Sequence, residues 1–184
     1  MTVALRAVAK TQKSGGYVAY IDAKNSLDIE YAENLGVKSE SLIFAQPDTG
    51  EEAFYKIHEF VKIGAFELIV VDSVAALTPT SGIDGASVPG QQAKMMSEQL
   101  SKLVSKVNQT KTVIIFINQV RSTMSGLFLN KETTPGGSAL KFYSSVRIEV
   151  KLGEKIKDGI DTIVRKPRFI PLKIRYQLRI KSQR

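Results

Sequence analysis

The 184-residue chain contains no cysteine, which excludes disulfides, thiolate nucleophiles and cysteine-ligated zinc. It has one histidine, His58, set among Tyr55, Ile57 and Phe60 on an expected helix. A lone imidazole in apolar company reads as a packed structural side chain rather than a catalytic base. No apolar run approaches the roughly 20 residues that a membrane span needs. The opening MTVALRAVAK has a basic residue but neither the apolar core nor the cleavage site of a signal peptide. No membrane association is expected, and the expected location is soluble and cytoplasmic.

Acidic residues are scarce in one region only. Residues 1–150 carry 15 basic and 15 acidic side chains, whereas residues 151–184 carry 11 basic and 3 acidic ones, so the whole formal charge of +8 lies in the last stretch. Such asymmetry suits an acidic partner such as nucleic acid, although solvated basic tails are also common. At 43% hydrophobic content the chain can bury one substantial core.

What is present alternates between two periods. Residues 2–13 read as a helix stopped by Ser14-Gly15-Gly16, and YVAYI (17–21) as a strand ending at Asp22. Residues 28–35 form a short helix closed by Gly36, and 41–44 a strand. QPDTG (46–50) is turn chemistry leading into a helix over 51–63, where Ala53, Phe54, Ile57, Phe60 and Val61 share one face. A strand over 67–72 precedes a Gly-, Pro- and Ser-rich loop over 78–90. A helix over 91–108 places Ala93, Met96, Leu100, Leu103, Val104 and Val107 on one stripe, and the methionines read as core. TVIIFIN (112–118) is another buried strand, 121–137 a flexible loop and 142–151 a strand. Over 172–181, apolar and cationic residues alternate with the period of a strand.

Strands alternating with helices imply an α/β fold with a mostly parallel sheet flanked by helices. Ligands of such sheets collect beyond the carboxyl ends of the strands. LIVVDSVAAL (68–77) delivers Asp72 and Ser73 to that edge, and Asp22, Asn118 and Gln119 fall at the same edge.

Five segments together carry a family likeness: IDAKNSLD (21–28), QPDTGEEAF (46–54), LIVVDSVAALTP (68–79), FINQVR (116–121) and NKETTPGGSALKFYSSVR (130–147). In this order and near spacing they resemble the bacterial RecA recombinase family, over about residues 2–155. The resemblance implies a RecA-like P-loop NTPase core (residues 1–155) followed by a basic, divergent tail (156–184). It implies a DNA-dependent ATPase that uses ATP and Mg2+, coats single-stranded DNA beside filament neighbours and drives strand exchange in homologous recombination and repair. Asp72 then matches the carboxylate that holds magnesium, with Ser73 beside it, and Gln119 the sensor of the terminal phosphate. Asp28 and Tyr31 match residues against the adenine. Residues 80–90 and 121–137 match the two DNA-binding loops, with Arg121 as a phosphate contact and Phe128 as an apolar insertion. Gly136 and Gly137 would let the backbone approach the strand, while Lys141 and Phe142 match positions at the filament's subunit interface.

Two departures bear on activity. The phosphate-loop motif GxxxxGK(S/T) occurs nowhere in the sequence, and Met1 aligns just beyond it, so the core is expected to lack the first strand and the phosphate loop. Lys24 stands where the family has its catalytic glutamate, and an ammonium cannot accept the proton of an attacking water. The first DNA-binding loop is about three residues shorter than usual by the same comparison. The expectation is a core whose hydrolysis is lost. The alternative is an ATP-independent DNA-binding remnant or a non-functional fragment.

Overall fold

The apolar runs pair as a parallel sheet. A computed structural model describes residues 1–82, 90–123, 131–158 and 161–174. Strands β1 (Tyr17–Asp22), β2 (Leu42–Ala45), β3 (Phe66–Asp72) and β4 (Val113–Ile117) form one sheet in the order β2-β1-β3-β4, with every adjacent pair parallel. Helices α2 (Ile29–Asn34), α3 (Gly50–Ile63) and α4 (Gln91–Thr110) make the three crossovers, and α1 (Thr2–Lys13) leads into β1.

Both faces of this sheet are covered, as parallel sheets require. Alternate strand residues point to opposite faces, which sorts β1 and β3 between two cores. Val18, Tyr20, Leu68 and Val70 pack with Leu5 and Val8 of α1, and with Ala32 and Val37. Ala19, Ile21, Ile69 and Val71 pack with Phe54, Ile57 and Val61 of α3, and with Met96, Leu100 and Leu103 of α4.

Local chemistry sets the helix ends. Thr49 caps α3, its hydroxyl accepting from the Glu52 amide at 3.0 Å, while the Glu52 carboxylate accepts from the Asp48 amide at 2.9 Å. This is a variant of the capping box in which the returning carboxylate meets the amide one residue before the cap. Gly64 closes the helix in the left-handed region at φ 70°.

Two short elements depart from the sequence expectation. Within 121–137, expected as a loop, β5 (Arg121–Thr123) and β6 (Lys131–Thr133) pair antiparallel. Three-residue strands are too short to show a period. Residues 142 and 143, expected in a strand, belong instead to α5 (Ala139–Tyr143), where Ala139, Leu140 and Lys141 are strong helix formers.

The chain divides into two compact units, Met1–Leu140 and Lys141–Arg184. The second is built on an antiparallel hairpin of β7 (Val146–Asp158) and β8 (Asp161–Ile174). Among the described residues no helix is long and apolar enough to cross a membrane.

Candidate functional site at the carboxyl edge of the sheet

Parallel register brings the ends of β1 and β3 together, with Asp22 directly paired to Asp72. Both carboxylates are buried, at 1% and 5% exposure, and burying charge demands compensation. Asp22 obtains it locally, since its Oδ2 accepts from the Ser26 and Leu27 amides, each at 2.9 Å. Its Oδ1 is buried with no protein partner.

Asp72 is served by a residue that the sequence places only within the YVAYI strand. The Tyr20 hydroxyl donates to Asp72 Oδ2 at 2.9 Å. Burial, and then the adjacent carboxylate, push the Tyr20 phenol well above the ordinary tyrosine range. It therefore stays protonated and remains a donor. Ser73 follows through a cis peptide, and its Oγ is fully buried without a partner. A carboxylate and an orphaned hydroxyl are the hard oxygen donors that suit Mg2+. Among the described residues no three His, Asp or Glu side chains converge as a metal cluster, so water and phosphate oxygens would supply the remaining ligands.

A hydrogen-bonded path leads away from this edge. Gln92, on the first turn of α4, donates from Nε2 to the carbonyls of Val74 at 2.9 Å and Leu77 at 3.0 Å, in the turn after Ser73. Its Oε1 accepts from the Gly136 amide at 3.2 Å. One residue earlier, the Pro135 carbonyl accepts from Asn118 Nδ2 at 2.9 Å, and Asn118 Oδ1 accepts from the Gln119 amide at 2.8 Å. The Asp72 turn, the end of β4 and the base of the 121–137 segment are thus tied through two carboxamides.

Gly136 and Gly137 carry that junction in the left-handed region, at φ 82° and 70°. A Cβ on Gly136 would lie 2.9 Å from Val74 Cγ1, and one on Gly137 2.7 Å from Ala93 Cβ. Only glycine permits both the backbone angle and the close approach to α4.

The remaining sequence candidates are placed as follows. Lys24 is exposed on the turn after β1. Asp28 caps α2, its Oδ1 accepting from the Tyr31 amide at 2.9 Å, and the Tyr31 hydroxyl meets Thr2 Oγ1 at 2.8 Å. Gln119 is exposed at the strand edge, and Arg121 opens β5. Lys141 and exposed Phe142 lie on α5. Phe128 and most of 80–90 lie outside the described residues. Tyr20 and Gln92 were missed. A tyrosine inside YVAYI looks like core until strand pairing sets its hydroxyl beside Asp72, and a glutamine in a first helical turn carries no signal.

Comparison with known proteins agrees with this geometry. The RecA N-terminal domain family matches residues 1–181. The chain is similar to Protein RecA, plasmid, of Lactococcus lactis subsp. lactis, at 87% identity over 90% of this chain and 48% of that protein. It is also similar to Protein RecA of Lactobacillus johnsonii, at 53% identity over 88% of this chain and 46% of that protein. Against Protein RecA of Bacillus velezensis the identity is 50%, over 91% of this chain and 49% of the relative. The chain spans about half the length of the curated relatives it matches. With its domain matched along nearly all of its length, the polypeptide belongs to the RecA family.

Proposed function

We propose that the chain serves homologous recombination and DNA repair as a single-stranded DNA-binding RecA-family core that no longer hydrolyses ATP. The observation that carries the binding half is the Gln92–Gly136 link, which joins the Asp72–Ser73 edge to the segment that resembles a DNA-binding loop. In this reading Asp72 and Ser73 take a nucleotide's Mg2+, Gln119 faces its terminal phosphate, and Asp28 and Tyr31 border the base. Arg121 and Phe128 meet the DNA strand, with Gly136 and Gly137 fixing the base of their loop. Lys141 and Phe142 meet a filament neighbour.

Lys24 supports the loss of hydrolysis. Its exposed ammonium occupies the turn where a water-activating carboxylate is needed, and positioning that water is a large part of phosphoryl transfer. DNA binding has no such requirement, because phosphate contacts draw on cations alone. An ATP-independent mode is favoured by the 11 basic residues after 150.

The test is titration of a labelled single-stranded oligonucleotide, with and without ATP and Mg2+, beside a phosphate-release assay. The expected result is salt-sensitive binding under both conditions and no DNA-stimulated release. Robust release overturns the loss of hydrolysis; no binding in low salt overturns the whole reading.

A further inference from the structure

A second concentration of charge lies within the neutral first 150 residues, away from the carboxyl edge. Arg6, Lys10 and Lys13 on α1 and Lys38 beyond α2 line a groove of about 570 Å³, and no acidic side chain lines it. All four are exposed. None belongs to the ion pairs formed among the described residues, which are Lys56–Glu52, Lys62–Glu59 and Lys151–Glu149.

The groove is built rather than incidental. Gln12 clamps the Lys38 backbone from both sides: its Nε2 donates to the Lys38 carbonyl at 2.9 Å, and its Oε1 accepts from the Lys38 amide at 2.9 Å. Beneath it, Leu5 and Val8 anchor α1 to the sheet, and Val37 packs in the same cluster. Both walls are therefore fixed to one core. Lys10 and Lys13 also complement the carboxyl end of the α1 dipole, but this accounts for neither Arg6 nor Lys38.

Spacing identifies the ligand. Positions 6, 10 and 13 fall on one helical face and rise over about 10 Å. A row of like charges of that length, with Lys38 across the groove and no acidic side chain between, suits a linear polyanion rather than a single small ion. An anion of that shape is a phosphodiester backbone. We infer that the groove between α1 and the Gly36–Lys38 turn is a second phosphate-backbone site for single-stranded nucleic acid. It lies across the sheet from α4, and at the amino ends of the strands, because α1 runs directly into the start of β1. A strand held there is distinct from one held by the 121–137 segment. The inference rests on the proposed function only in taking nucleic acid as the partner.

Lysine acetylation footprinting on the full chain, with and without oligo-dT, tests this without altering the fold. Lys10, Lys13 and Lys38 should be protected several-fold, while Lys102 and Lys106 on α4 should not. Unchanged acetylation of the groove lysines overturns the site, and so does protection by polyglutamate but not by oligo-dT. In parallel, Arg6→Ala/Lys10→Ala/Lys13→Ala should lower the salt slope of oligo-dT binding by about 2, at about 0.7 per phosphate contact. The equal-charge control Lys62→Ala/Lys102→Ala/Lys106→Ala should leave it unchanged. Equal losses in both triples overturn the site while leaving DNA binding itself intact. No binding by the parent chain overturns both readings.

Discussion

At the scale of single residues, Gln92 and His58 show what half-buried polar groups do when their partners are specific. Gln92 bonds two carbonyls and one amide, so that three different stretches of chain meet at it. Gln92→Leu preserves bulk but removes this partner from the Leu77 carbonyl and the Gly136 amide, while the Val74 carbonyl keeps the Leu77 amide at 3.2 Å; an unsatisfied buried group costs about 1–3 kcal/mol. We expect a lower urea midpoint with an unchanged m value. We also expect weaker coupling between ATP and DNA binding, read as a smaller change in oligonucleotide affinity when nucleotide is added. A variant with parental coupling would mean that the link only supports the fold.

His58 makes a different kind of contact. Its Nε2 lies 3.1 Å from Gln99 Oε1, while Nδ1 is buried without a partner. Burial holds its pKa below the ordinary histidine value; the Gln99 bond opposes this, and Lys106 and Lys102 reinforce it. The unfolded chain therefore takes up this proton first as pH falls. Stability from the neutral ring is complete above about pH 6.5 and is lost below it, through the window down to the lowered folded pKa. Melting temperature should decline from pH 7 toward pH 5, and His58→Gln should flatten that part of the profile.

At the scale of elements, the parallel core was legible because each strand is a short apolar run and each helix repeats its apolar residues at three- and four-residue spacings. YVAYI, LIVVD and VIIFI all emerge as strands of one sheet, and α1, α3 and α4 cover it. The carboxyl edge was legible for the same reason, since a polar residue ending an apolar strand has only one place to go. The bond between Tyr20 and Asp72 was not, because it joins residues 52 apart and depends on strand order. The Gln92 link was hidden too, as it depends on the backbone path at Gly136. Leu5, fully buried where α1 meets the sheet, should lose about 2–5 kcal/mol as Leu5→Ala. Gly136→Ala should lose at least about 1 kcal/mol from its left-handed backbone alone, with the Val74 clash added. Denaturant titration measures both.

At the scale of the whole molecule, charge is distributed so that two classes of contact can be separated by experiment. Residues 1–150 are neutral in sum, yet four unpaired cations meet in the α1 groove. Residues 151–184 hold the entire net charge. If both regions meet separate phosphates, each contributes its own share of counterion release and the shares add. Arg175→Gln/Arg179→Gln/Lys181→Gln/Arg184→Gln should lower the salt slope of single-stranded DNA binding by about 2.8, at about 0.7 per cation. The unfolding midpoint of the core should not move. Combined with the α1 triple variant, the two reductions should sum. A combined slope no lower than that of either variant alone would show the two regions competing for the same phosphates. In that case the α1 groove and the basic carboxyl-terminal stretch would draw on one bound strand rather than two.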